Sequence, residues 1–234
     1  MFLTRSVFAL SVLLAGCAQA VAQGAPLQLQ PKKPLAPAPS PAKPLTGKLS
    51  PIDQTMAVAN ANDYLNSSPL MTADFVQVGA DGNRTEGRLY VQKPGRMRFE
   101  YNKPASLEII ADGTSVAVRD KKLGTQDLYF IGQTPLKFLL KEKIDISRDT
   151  KILDISAEAN STSIFIEDKA TLGGTSRIKL TFDSTSFALK QWKVVDPQGY
   201  ETLVTLFNVD TTKRPDPSLF KIVHENFRDP STNK

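Results

Sequence analysis

"EGRLYVQKPGRMRFEY", residues 86–101, holds two strand-like runs on either side of Lys93-Pro94-Gly95. The second run alternates Arg96, Met97, Arg98, Phe99, Glu100 and Tyr101, so a period of two puts charge on one face and bulky apolar groups on the other. Lys-Pro-Gly is turn chemistry, and the two runs form an antiparallel hairpin with a single apolar face. Such a face must be covered by a second layer. How much of the chain is left to cover it decides the fold.

Working outward, short strands are expected at 70–78, 84–92, 96–101, 107–111, 115–119 and 128–131, broken at Asp81-Gly82-Asn83, Asn102-Lys103-Pro104 and Asp112-Gly113. A second series is expected at 151–158, 163–168, 177–182, 188–195 and 201–209. Only two segments read as helix. Ser50-Pro51 is a capping hydroxyl followed by proline at the first helical position, with Asp53 in the first turn and Ile52, Met56, Ala59 and Tyr64 as the apolar stripe. Thr134-Pro135 opens a short helix carrying Leu136, Phe138, Leu139 and Leu140. Helices do not alternate with strands, which excludes a parallel sheet with crossover helices.

The fold class is therefore mainly β. About eleven strands form one antiparallel sheet, which must curl because sheets of that width twist and coil. Alternation assigns Leu89, Val91, Met97, Phe99, Leu128, Phe130, Ile178, Leu180, Phe182, Trp192, Leu203 and Phe207 to the concave face, with both parities open at Trp192 and Phe207. Two helices cannot make a full second layer, so the expectation is an apolar hollow under a small helical lid that includes Phe138 and Leu139.

Residues 1–22 read as a secretory signal peptide, too short to span a bilayer. Two processing routes compete. Ala18-Gln19-Ala20 and Ala20-Val21-Ala22 suit cleavage near Gln23, releasing a soluble protein, whereas Leu14-Ala15-Gly16-Cys17 resembles a bacterial lipobox whose cysteine is lipidated. Either route leads outside the cytoplasm, and one cysteine permits no internal disulfide. Residues 23–49 are rich in Pro, Ala and Lys and read as an extended, disordered linker without a core. Residues 50–234 form the single folded domain.

The formal charge of +5 is carried by Arg5, Lys32, Lys33, Lys43 and Lys48, which leaves the folded part neutral. Nucleic acid is thereby disfavoured, and alternation also puts Phe99 on the face opposite Arg96 and Arg98, so rings and cations do not share a surface. The linker lysines read as solvated charges or as a weak contact with anionic lipid headgroups. The chemical inventory is mostly negative. The one histidine, His224, follows the last strand, no thiol or imidazole cluster can hold zinc, and neither a nucleophile elbow nor a phosphate-cradling loop is present. No cofactor, metal or catalytic role is expected.

The segment 75–120 resembles the LolA family of outer-membrane lipoprotein carriers. The resemblance rests on Phe75 and Gln77, the Asp81-Gly82 turn, Gly87, Leu89, Val91, Lys93-Pro94-Gly95, Phe99, Tyr101 and the Asp112-Gly113 turn. It implies an unclosed antiparallel barrel with a helical lid, and a monomeric periplasmic chaperone whose cavity takes lipoprotein acyl chains. The partners implied are an inner-membrane lipoprotein-releasing transporter and an outer-membrane acceptor or membrane. In the family an arginine before the proline helps to hold the lid; here that position is Lys93, a compact ammonium in place of a planar fork. The lipobox and long linker resemble the membrane-anchored LolB acceptors, so an acceptor or bifunctional role is the alternative. A second alternative is a half-barrel envelope-stress sensor; those sensors add a further domain, whereas this chain ends shortly after Phe227.

Overall fold

The computed structural model describes residues 47–48 and 51–223. The expected leader with Cys17, most of the linker and His224 lie outside the described residues, as does the side chain of Ile52. In chain order the elements are β1 (Gly47–Lys48), α1 (Pro51–Ser67), β2 (Leu70–Val78), β3 (Arg84–Gln92), β4 (Arg96–Tyr101), β5 (Leu107–Asp112), β6 (Ser115–Asp120) and β7 (Thr125–Phe130). They are followed by α2 (Lys137–Leu140), α3 (Ile146–Asp149), β8 (Lys151–Glu158), β9 (Ser161–Thr171), β10 (Gly174–Asp183), β11 (Leu189–Val195) and β12 (Glu201–Asp210). All eleven expected strands are present. β1 adds a short twelfth, placing Gly47 opposite Ala157 and Lys48 opposite Ser156 at the end of the expected linker.

All strands join one antiparallel sheet in the order β1-β8-β9-β10-β11-β12-β2-β3-β4-β5-β6-β7. The last strand lies beside the first long one, β12 against β2, which joins the two series into one sheet, and Phe99 of β4 meets Trp192 of β11, four strands away, at 6.3 Å, so the sheet is curled. Its two free edges are β7 and β1, and no ladder among the described residues joins them. The barrel is thus unclosed, and residues 131–150, which carry α2 and α3, run from one side of the gap to the other.

The β3–β4 hairpin has the register its alternation predicts, with Leu89 opposite Phe99 and Val91 opposite Met97, all four buried. The motif residues around it form a packing unit. Phe75 meets Phe99 and Tyr101 edge to face at 5.0 and 5.1 Å between centroids, and the Tyr101 hydroxyl donates to Gln77 Oε1 at 2.9 Å. Burial holds that phenol above its ordinary pKa. Gly87, opposite Tyr101, is required by space: a Cβ there would lie 2.0 Å from the Glu100 carbonyl oxygen.

Three expectations of facing are corrected. In β7 the inward parity belongs to Asp127 and Tyr129, because Tyr129 pairs with buried Val116 and Asp127 with Val118, which packs against the core. Leu128 and Phe130 therefore lie on the outer face, 50% and 65% exposed. Alternation misled here because the apolar residues of this edge strand are its outer ones. In β12 the inward residues are Val204 and Leu206, opposite Trp192 and Phe75, so Trp192 faces inward while Phe207 is exposed and Leu203 only half-buried. In α1 the buried stripe is Ala57, Val58, Ala61 and Leu65, whereas Met56 and Ala59 face solvent. Small residues at 57 and 61 let the helix approach its neighbours closely, and that outweighs the bulk of Met56.

Residues 211–223 leave β12 and cross the outer face of β4 and β5 as a strap with a 3-10 turn at Pro217–Phe220. Phe220 is buried beneath it. Arg98, on the charged face of the hairpin, is covered by this strap: its side chain is only 16% exposed, donates to the Leu219 carbonyl at 3.2 Å and pairs with buried Glu108.

Candidate functional site

The concave face is mainly apolar, with Asp127 and Asp168 as polar exceptions near its ends. Leu89, Val91, Met97, Phe99, Ile178, Leu180 and Phe182 are all buried, as alternation predicts, and Trp192, where both parities were open, is buried with them. The open hollow is absent, because the segment 131–150 fills it. Phe138, Leu139 and Leu140 of α2, Ile144 and Ile146 are buried in the same core. The Phe138 ring meets Trp192 edge to face at 6.0 Å, and Trp192 meets Phe99 at 6.3 Å, so the lid is continuous with the central aromatic cluster. A cleft of about 20 Å³ at the lid is lined by Phe138, Ile144, Ile146, Ile166 and Ile178 together with the charged Lys137, Lys141, Asp149 and Asp168. It has no room for an acyl chain.

Polar links fix this apolar plug at five points. Asn66 and Ile144 exchange two hydrogen bonds of 2.8 Å, and Asn62 Oδ1 accepts from the Ile146 amide at 3.0 Å. Both asparagines lie in α1, one turn apart, so a single helix face grips the loop before α3. Lys137 of α2 forms an ion pair with Asp168 of β9 at 2.7 Å, both side chains largely buried. The Gly95 amide donates to the Leu140 carbonyl at 2.8 Å and caps the end of α2. In the turn that follows β7, the Gln133 carbonyl accepts from the Leu172 amide at 2.8 Å.

The Lys93 side chain reaches α1 and not α2. Its ammonium donates to the Leu65 carbonyl near the end of α1, where a cation offsets the exposed carbonyls and the helix dipole. Burial pushes its pKa down to about 8. The Lys93-Pro94-Gly95 turn thus holds α1 through the lysine side chain and α2 through the glycine amide. Sequence reasoning missed Asn62, Asn66, Asp168 and α3. A signal existed for Asn62, which interrupts the interior of α1, where asparagine is a poor helix former, but not for Asn66, which lies in the last turn.

The features define a class: a curled, unclosed antiparallel half-barrel whose apolar interior is plugged by its own polypeptide. Outer membrane lipoprotein carrier protein LolA is the family whose model matches residues 66–223, and the chain belongs to that family. An outer-membrane lipoprotein carrier protein of Methylococcus capsulatus is 26% identical over 72% of this chain and 84% of its own length. One from Chromobacterium violaceum is 28% identical over 64% of this chain and 75% of its own. A LolA superfamily protein of Nitrosomonas europaea superposes with a TM-score of 0.42 at 9% identity, covering 72% of this chain and 97% of that one. Among the described residues, no helix is long and apolar enough to cross a membrane, and no group of three or more His, Cys, Asp or Glu is placed to hold a metal.

Proposed function

We infer that the protein is a periplasmic carrier that shields lipoprotein acyl chains by exchanging them for its own lid. Residues 1–22 export it, an inner-membrane releasing transporter loads it, and an outer-membrane acceptor or the membrane itself receives the cargo. The observation that carries this reading is the placement of Phe138 on Trp192: a short helix, tied by a few polar links, supplies the side chains that fill the space between the two sheet edges.

The energetics suit exchange. Burying an acyl methylene is worth roughly 0.8 kcal/mol, so a chain of about 15 carbons gains about 12 kcal/mol. Moving Phe138, Leu139, Leu140, Ile144 and Ile146 into water costs roughly 1.5–3 kcal/mol each, about 7–15 kcal/mol together. The two terms nearly cancel, so cargo displaces the lid without being trapped. Leu89, Val91, Met97, Phe99, Leu180 and Phe182 then form the wall against hydrocarbon, with Phe138 and Leu139 bordering the opening. Leu128 and Phe130 are on the wrong face for that role.

The test is incubation with inner-membrane vesicles carrying an acylated lipoprotein or its unacylated cysteine-to-serine variant, followed by separation of soluble complexes. The acylated form is expected to appear as a soluble one-to-one complex. Equal recovery of the two forms, or of neither, overturns the reading.

A further inference from the structure

The outer face of β5–β7 carries a second feature, unrelated to the interior. Between the strap and the sheet lies a notch of about 310 Å³ with a floor of Ile110 and Ala117. Arg98, Arg119, Lys121 and Lys221 line it against one carboxylate, Glu108. Glu108 is buried and shared between Arg98 and Lys121, the latter at 3.3 Å, and Arg98 also lies 3.7 Å from Glu100, so the lining of the notch is mainly cationic, with exposed Lys221 at its rim, on a domain that is neutral overall.

Exposed apolar side chains surround this charge. Val223 lines the notch and is 51% exposed, and Leu128 and Phe130 project from the same outer face of β7. Leu123, at the β6–β7 turn beside Lys121 and Lys122, is 71% exposed. Leu128 pairs across the ladder with Ala117 of the notch floor, so charge and grease share one surface. A protein partner would be expected to offer acidic side chains in a fixed pattern. A bilayer with anionic lipids offers phosphate groups above hydrocarbon, which matches cations flanked by protruding apolar groups.

We propose that the outer face of β6–β7, with the notch under the strap, docks the protein on a membrane containing anionic phospholipid, with a headgroup phosphate in the notch. Docking there sets the β7 edge, and with it the lid-covered gap, beside the bilayer. The surface stands independently of the carrier reading, because none of its residues faces the interior.

Sedimentation of the full chain with phosphatidylglycerol/phosphatidylethanolamine vesicles tests this, with purely zwitterionic phosphatidylcholine vesicles as the comparison. Binding is expected on the anionic vesicles only and is expected to fall with salt. Each near-surface cation contributes about a fivefold effect, so K121Q/K221Q is expected to weaken binding roughly 25-fold, and L128S/F130S at least tenfold. All four side chains are at the surface, and unchanged circular dichroism confirms that each variant is folded. A third variant replaces Lys32, Lys33, Lys43 and Lys48 by glutamine and is expected to bind almost normally. Absence of binding, equal binding to both vesicle types, or loss in the linker variant with retention in the notch variants overturns the proposal. Failure of lipoprotein extraction with vesicle docking intact would count against the carrier reading alone.

Discussion

Asn66 and Ile144, 78 positions apart, are joined by two reciprocal hydrogen bonds of 2.8 Å, with the side-chain amide donating to the carbonyl and the side-chain oxygen accepting from the amide. Together with Asn62 on Ile146, this contact ties the loop before α3 to α1. Asn66→Ala leaves both backbone groups of Ile144 without partners at a cost of about 2 kcal/mol. The expected result is selective: amide exchange in residues 137–146 accelerates about 30-fold while the β2–β4 ladder keeps its protection. Uniform acceleration across the sheet would show that the asparagine supports the whole fold and has no particular hold on the lid.

Lys93 gives stability a pH dependence of calculable sign. The folded chain holds this lysine at about 8, against 10.5 for the ordinary residue. Between those values the unfolded chain binds a proton that the folded chain does not, so stability rises with pH across the window, by at most about 1.4 kcal/mol per unit. Below pH 8 the penalty of holding a buried ammonium is fully present; above 10.5 it is gone. Lys93→Met removes this contribution. The difference in urea-unfolding free energy between wild type and variant should therefore shift in favour of wild type by ~1–3 kcal/mol from pH 7.5 to 10, and a constant difference would contradict it.

Gly82 and Gly95 separate backbone strain from crowding. Both adopt left-handed conformations, with φ of 76° and 77°. A Cβ at Gly82 meets nothing within 4 Å, whereas at Gly95 it would lie 2.7 Å from the Cα and carbonyl oxygen of Gly113. Gly82→Ala is expected to cost about 1 kcal/mol through φ alone. Gly95→Ala should cost at least about 2 kcal/mol more, since backbone must move where the Gly95 amide also holds Leu140. Chemical denaturation of the two variants gives the difference, and equal losses would mean that the β3–β4 turn has room to spare.

Much of this architecture was legible because the strands are short, alternating and punctuated by turns. The hairpin 86–101 alone fixed a face, a register and the antiparallel neighbours, and it also carried the family resemblance. Facing failed where an edge strand puts its apolar groups outward, at Leu128 and Phe130, and where two parities were equally greasy, at Phe207. The lid's polar links were hidden for another reason. Asn66 with Ile144 and Lys137 with Asp168 are tertiary pairs between segments 78 and 31 positions apart. No local period encodes them, and a basic residue before a proline drew attention to Lys93 instead. The filling of the hollow was also out of reach, since it depends on where four residues of α2 come to rest once the sheet has curled.

If the lid competes with cargo for one space, weakening the lid should tighten cargo binding. Phe138→Ser removes the ring from Trp192 and about 2–3 kcal/mol of burial from the closed form. The acyl chain then displaces the lid against a smaller cost. An acylated lipopeptide should consequently leave the variant roughly 30-fold or more slowly, even as the empty protein loses ~3 kcal/mol of stability. Phe207→Ser, on the exposed outer face of β12, is expected to change stability by less than about 0.5 kcal/mol and the off-rate not at all. Release followed with a fluorescent lipopeptide in solution, without membranes, reads the effect directly. Faster release from Phe138→Ser would mean that the ring holds cargo more than it competes with it, and the exchange of lid for acyl chain would have to be abandoned.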